Sequence, residues 1–316
     1  MSGVLAVVPT LGESPWLADC LAALRSQGEP ALLVAVVWQG AGPARIPPGL
    51  ADRIHEPARN LGFAAAVNLA LAADPAPLVA LVNDDALVAP GWLPALLAAL
   101  APGVGAVQGV NLELAREERA DGWGIAWNRW WQAVQLGHGE PAASAPAEGC
   151  ELFGVSATAA LYRREALDAA LLRPGEWLDP ALFAYYEDVD LACRLRAAGF
   201  TARLAPAARA RHAGSATGRR RQGLRRRWIH AHRLAVVARL LGRGFWLRLP
   251  RLAARDLADG LRLAAGGDLG GAAAVAAGWG RAAALIPRFA RRGPPLLPLA
   301  ELARFRVGSP GWPPPS

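Results

Sequence analysis

The first residues in this sequence that could do chemistry are two adjacent carboxylates, Asp84 and Asp85, at the end of the otherwise apolar run LVALVNDDA, residues 78–86. Unpaired charge is costly to bury, so the pair needs a partner. A divalent cation would be one, because Mg²⁺ and Mn²⁺ take hard oxygen ligands and are commonly shared between one or two carboxylates and a diphosphate. A cap on the following turn, APGW, accounts for the pair equally well. A second acidic cluster, Glu187, Asp188 and Asp190, opens the helical stretch within LDPALFAYYEDVDLACRLRAAGF, residues 178–200. One acid at a helix start is explained by the helix dipole. Three beside aromatic residues such as Tyr186 leave room for a general base acting on a substrate hydroxyl. His212, after a strand-like stretch, becomes a ligand candidate if the sheet brings it beside Asp85.

These side chains need a frame. GVLAVVPT (3–10), ALLVAVVWQG (31–40) and LVALVNDDA read as strands buried on both faces. LADCLAALRSQG (17–28) has helical spacing, and NLGFAAAVNLALAAD (60–74) supplies a second helix with Asn60 as N-cap. Strands alternating with helices imply an α/β fold, a mostly parallel sheet with helices on both faces. In such sheets ligands gather beyond the carboxyl ends of the strands. Three strand ends carry Pro9-Thr10, Trp38-Gln39-Gly40 and Asn83-Asp84-Asp85, and the site is expected there. No GxxxxGK[ST] is present and no GxGxxG follows the first strand, which argues against phosphate-loop NTPases and dinucleotide dehydrogenases.

Charge divides the 316 residues in two. All 34 basic side chains are Arg; residues 1–217 carry 15 of them against 22 acids, and residues 218–316 carry 19 against Asp256, Asp259, Asp268 and Glu301. An acidic globular part beside a basic tail predicts that only the tail meets polyanions. From Arg219 onward, Trp228, Leu234, Val237, Leu240 and Leu241 recur at helical spacing among arginines, as in an element docking on anionic headgroups. Packing against the first half is the main alternative. No RNA or DNA module signature accompanies the arginines, so no nucleic-acid partner is expected. No charge-free apolar run reaches the roughly 18 residues of a membrane span without Pro, Gly or Asn breaking it, and no signal-peptide pattern opens the chain. Three cysteines without a CxxC pair point to buried thiols rather than a disulfide framework. A cytoplasmic protein, peripheral on the inner membrane face, is the expectation.

Taken together, VVPTLGESPWLADCLAALRSQ, RNLGFAAAVNLAL, VNDDALVAPGWLPALLAAL, ATAALYRREAL with the acidic block, and ARHAGSATG resemble the family-2 inverting glycosyltransferases of GT-A fold, in particular their rhamnosyltransferase-like branch. The five motifs follow in the expected order over residues 4 to about 217. The resemblance implies a catalytic domain over 1–217; the composition of the remainder predicts a helical basic extension over 218–305 and a disordered tail over 306–316. The resemblance also implies a nucleotide-sugar donor bound by Pro9, Thr10, Arg59, Asn60, Gly62, Asn68, Asn83 and Asp84, to which Gln39 can add an amide donor and acceptor, and Mg²⁺ or Mn²⁺ held by Asp85 and His212. Asp188 would be the base, and Tyr186 and Glu187 would stand on the side of a saccharide or lipid-linked acceptor. The chain departs from the family where the second strand ends in Trp38-Gln39-Gly40 instead of an acidic base-reading run. A degenerate binding module and a nucleotidyltransferase are the rival readings. The latter would want a Gly-rich, basic loop after the first strand, and GESPW is neither.

Four tryptophans, Trp123, Trp127, Trp130 and Trp131, fall within nine positions before a Pro/Ala/Gly-rich run. They read either as one helical face packed on the core or, for Trp123 and Trp127, as sugar-stacking residues under a mobile lid.

Overall fold

The computed structural model describes residues 3–28, 32–214 and 222–308. The expected boundary at 217/218 and residues 309–316 of the expected disordered tail fall outside them.

The apolar runs form strands as their composition demands. β1 (Val4–Thr10) pairs in parallel with β2 (Leu32–Trp38) and with β4 (Leu78–Val82), while β3 (Arg53–His55) pairs in parallel with β2. Successive side chains of β1 go to opposite faces. Leu5 and Val7 enter one core with α2 (Gly62–Ala73), whereas Val4, Ala6 and Val8 enter the other with α1 (Leu17–Arg25) and α3 (Trp92–Ala98). Helices on both faces explain why these strands are apolar throughout rather than alternating.

Beyond β4 the sheet is mixed. β11 (Ala159–Arg163) runs antiparallel between β4 and β6 (Val104–Glu113), and β6 pairs in parallel with β12 (Thr201–His212). Three short strands add antiparallel edges: β5 (Ala86–Val88) and β10 (Glu151–Leu152) on β12, and β7 (Arg116–Gly122) on β6. β8 (Ile125–Trp127) and β9 (Ala133–Gln135) form a separate hairpin. Two pairings matter for the site. β5 follows the acidic strand end directly, and its Ala86 opposes His212 at the end of β12. The register thus carries His212 to Asp85 across more than a hundred residues of chain.

After α4 (Arg164–Ala169) and α5 (Glu187–Ala197), the C-terminal part folds as α6 (Gln222–Leu241), α7 (Gly244–Ala265), α8 (Leu269–Phe289) and α9 (Leu299–Arg304). The expectation that the stretch from Arg219 is a surface element does not hold for α6. Residues Ala231 to Leu241 are all buried, and Leu234, Val237, Leu240 and Leu241 join the core that contains α2. Two of its arginines, Arg233 and Arg239, are buried in ion pairs. Arg239 donates to Asp190 (2.5 Å) and Asp179 (2.6 Å), and Asp190 also accepts from Arg194 (2.8 Å). Arg233 donates to Asp256 (2.5 Å). Packing won because the apolar stripe of α6 fits the core while both buried guanidinium groups meet carboxylates there.

Among the described residues one helix, α8, is long and apolar enough to cross a membrane. It is bound here by side-chain contacts along its length: Trp279 Nε1 donates to Asp256, Arg281 to His232, and Arg288 to Asp179. At Gly278 a Cβ would stand 2.8 Å from the His230 Cβ, so only glycine lets α8 approach α6 this closely.

Candidate active site

The carboxyl ends of β1, β2 and β4 open into a cavity of about 200 Å³. Pro9, Thr10, Gln39, Asn83, Asp84 and Asp85 line it from the strand ends, and Asn60 and Gly62 from the entry to α2. Its opposite wall is Phe183, Ala184, Tyr185 and, from α6, Arg225 and Trp228.

The floor is tightly bonded. Thr10 Oγ1 donates to Asp84 Oδ2 (2.6 Å) and accepts from the Gly12 N–H (2.9 Å), while Ser14 Oγ donates to the Asp84 carbonyl (3.0 Å). Burial and the neighbouring Asp85 push the Asp84 carboxyl up to about 6, against the opposing bond from Thr10. Gln39 Oε1 accepts from the Leu61 N–H (2.8 Å) and Asn60 Oδ1 from the Gly62 N–H (2.8 Å), which fixes the turn into α2. Gly62 has φ +80°, and a Cβ on it would lie 2.5 Å from the Phe183 ring. Glycine here lets the opposite wall close down.

That wall is backbone-strained. Phe183, Tyr185 and Tyr186 all have φ between 55° and 74°, a region that aromatic residues seldom enter. The surroundings hold it. His232, wholly buried on α6, has Nδ1 3.0 Å and 2.9 Å from the carbonyls of Ala184 and Tyr185, which accept its proton. Trp228 packs on the rings of Phe183 (5.2 Å) and Tyr185 (6.2 Å).

Asp85 and His212 meet as the sheet register requires. His212 Nε2 stands 3.1 Å from Asp85 Oδ1 without the alignment of a hydrogen bond, and it is buried with no other partner. The other ring nitrogen, Nδ1, bonds Asp121 Oδ2 at 2.9 Å, from the end of β7. Burial opposes charge on the ring, but the bond to Asp121 and the nearby Asp85 carboxylate outweigh it and raise its pKa to about 10. A nitrogen turned toward a carboxylate, with its ring oriented by a second carboxylate behind, suits a divalent cation, which would displace the proton that the two carboxylates otherwise keep on it. Asp121 lies on the far side of the ring, and among the described residues no group of three or more ligating side chains forms. Two protein ligands would leave the remaining positions to water and a diphosphate.

Residues 2–231 match the family described as glycosyltransferase like family 2. The chain belongs to that family. No match was found among curated proteins. Among solved structures, a mannosyltransferase from Pyrobaculum calidifontis in complex with GDP-Man and Mn²⁺ is 24% identical with a TM-score of 0.54; the match covers 90% of this chain and 78% of that one. GalNAc-T7 with UDP, GalNAc and Mn²⁺ is 12% identical at the same TM-score, over 67% of this chain and 44% of that one. This chain thus spans less than half of the second relative. Both likenesses are of fold, and they bear out the GT-A expectation.

Against that family frame, several expected site residues fall elsewhere. Arg59 is exposed and does not line the cavity. Asn68 is buried in α2 and spends its amide on both backbone groups of Leu178 (2.8 and 3.0 Å), so it braces the acidic block instead of a nucleotide. Trp123 and Trp127 are core residues: the Trp123 ring lies where a Cβ on Gly137 would stand, and Trp127 packs edge-on against Trp131 (6.0 Å) and Phe153 (5.7 Å). Neither can stack on an acceptor without unpacking the core. Tyr186 is buried, and its hydroxyl accepts from the Ala133 N–H (3.1 Å).

Asp188 does not share the cavity with Asp85. It lines a small adjoining pocket with Tyr162, and its carboxylate accepts from the N–H groups of Ala157 (3.3 Å) and Val189 (2.8 Å). The two sites are separated by residues 156–158, whose Thr158 carbonyl accepts from the Asn83 N–H (2.9 Å). Burial raises the Asp188 carboxyl, partly offset by those backbone bonds. Glu187 beside it is buried, with Oε2 lacking a hydrogen-bond partner. Conversely, Asp121, Arg225 and Trp228 carry no motif that marks them. The basic composition of the tail drew the last two toward a lipid reading.

Proposed function

We propose that this chain is an inverting glycosyltransferase that moves a sugar from a nucleotide-diphosphate donor to a saccharide or lipid-linked acceptor, with Mg²⁺ or Mn²⁺ held by Asp85 and His212. One observation carries the reading: a buried imidazole nitrogen without a hydrogen-bond partner faces a strand-end carboxylate at the mouth of the cavity. The nucleotides and Mn²⁺ in the two fold relatives are the ligand classes such a cavity would take. Bound there, the cation would neutralise charge growing on the departing diphosphate. Arg225, on the facing wall, supplies a guanidinium to the same phosphates, and Trp228 an aromatic surface. Asp84 is turned to the donor sugar. Asp188, raised above the ordinary carboxylate range, takes the proton from the attacking acceptor hydroxyl as its oxygen approaches the face opposite the leaving group. For that it must exchange its Ala157 bond for the hydroxyl. A rhamnosyl donor and a role in polysaccharide or cell-wall synthesis rest on the motif resemblance.

The reading includes a catalytic domain over 1–217 and a peripheral position on the inner membrane face, supported by the arginine excess of the C-terminal extension. A thermal-shift screen of nucleoside diphosphates with and without Mn²⁺ tests the donor site, because a ligand of the native state raises the melting temperature. A shift that needs Mn²⁺ and favours one base supports it; no shift with any nucleotide refutes it. A binding module without transfer is the second reading, favoured by the separation of Asp188 from the cavity. It predicts metal-dependent nucleotide binding with no transfer to any acceptor.

A further inference from the structure

The exposed apolar side chains of the C-terminal part gather mainly on one helix. In α7, Trp246, Leu247, Leu257 and Leu261 are 53%, 84%, 64% and 62% exposed. At about 100° per residue these four fall within roughly 100° of arc around the helix axis. The helix is not rotated there by chance. Phe245, Leu252 and Asp256 are its buried residues, and Asp256 is clamped by Arg233 of α6 and Trp279 of α8. The clamp leaves the leucine stripe facing outward.

A row of arginines borders one edge of the stripe. Arg251 and Arg255 lie over the Trp130 ring at 4.7 and 5.9 Å, and Arg262, with a largely exposed side chain, reaches Asp259. Stacking holds Arg251 at the border, and stacking together with an ion pair to Asp259 holds Arg255 there. Leu269, 70% exposed, extends the apolar surface past the turn into α8.

We propose that α7 lies in the plane of an anionic phospholipid bilayer, its leucine stripe and Trp246 in the acyl boundary and its bordering arginines on lipid phosphates. An apolar stripe with a cationic border is the pattern that binds such a surface. A second copy fits less well, since an identical helix brings another arginine row and no anionic complement to the border. The inference rests on the membrane part of the proposed function and names the face responsible. It shifts that role from α6, whose second half is buried and whose first half walls the cavity, to the helix after it.

The test is co-sedimentation of the full-length protein with vesicles of phosphatidylcholine alone and of phosphatidylcholine with phosphatidylglycerol. Binding is expected only to the anionic vesicles and should fall at high salt. Leu257→Glu with Leu261→Glu, both at exposed positions, should cut the bound fraction about tenfold while leaving the melting temperature and any Mn²⁺-dependent nucleotide shift unchanged. Undiminished binding by this double variant overturns the assignment to α7 while the membrane reading stands. No vesicle binding by the unsubstituted protein overturns both. A dimer in light scattering that the double variant abolishes assigns the stripe to a second copy and also overturns the proposal.

Discussion

His212 Nδ1 lies 2.9 Å from Asp121 Oδ2, joining the last residue of β12 to an acid near the end of β7. The bond fixes which ring nitrogen turns to Asp85 and holds the imidazole plane. If the pair holds a cation, Asp121 acts through the histidine, as carboxylates behind metal-bound imidazoles do. Asp121→Asn should therefore weaken Mn²⁺ binding in the presence of a nucleoside diphosphate by about ten- to a hundredfold, read by calorimetry. Asp85→Ala should abolish it. Equal affinities in the Asp121 variant and the parent would remove Asp121 from the site.

Arg225 and Trp228 form the part of the cavity wall contributed by α6. A guanidinium bonded to phosphate is worth about 1.5–3 kcal/mol, so Arg225→Gln should weaken nucleoside diphosphate binding roughly tenfold or more. The loss should shrink for the bare nucleoside, which has no phosphate to grip. Trp228→Ala removes the surface on which Phe183 and Tyr185 pack and should weaken nucleoside and diphosphate alike. Competition against a fluorescent nucleotide separates the two patterns.

The ion-pair network between α6 and the acidic block gives a stability prediction. Arg239→Met leaves Asp179 without one of its two guanidinium partners and Asp190 without one of its own, inside the core. Breaking a buried pair on one side costs about 3–5 kcal/mol, and urea midpoints should fall accordingly. The exposed pair Arg211–Glu117 is the control, with Arg211→Ala expected to cost under about 1 kcal/mol. A small effect at Arg239 would mean that α6 is held by its leucines alone.

The parts of this fold that could be read from sequence are those whose signal is local. β1, β2 and β4 are unbroken apolar runs, α1 has a period, and the strand ends that turn polar mark the cavity. Asp85 and His212 were legible because motif order implied a sheet neighbour. Asp121 was not, since its position depends on an antiparallel return strand whose residues are largely exposed and polar. Asn68 shows the converse: an amide on an apolar helix looks like a ligand, yet its partners are the backbone of Leu178, reached only once the acidic block folds over α2. Arg233 and Arg239 misled for a related reason. A guanidinium among leucines has the same spacing whether its carboxylate lies in the protein or in a lipid headgroup, and only tertiary packing distinguishes them.

Glu187 ties stability to pH. Burial and the adjacent Asp188 carboxylate push its carboxyl up to about 8. In the unfolded chain the group ionises in the ordinary carboxylate range, near 4.5. Between those values the folded state holds a proton that the unfolded state has lost, so stability must fall as pH rises through the window. The slope for one such group is at most about 1.4 kcal/mol per pH unit. Asp188, also raised, adds in the same direction, and Tyr162 stays neutral across the window, since burial pushes its hydroxyl well above its ordinary value. Glu187→Gln keeps the neutral shape without the titration. Melting temperatures measured from pH 5 to 8.5 should therefore decline more steeply in the parent than in the variant, with the two curves separating most above pH 7. Parallel curves would mean that Glu187 is ionised in the folded protein throughout, and that a cation or a residue from the acceptor side supplies the partner its Oε2 lacks.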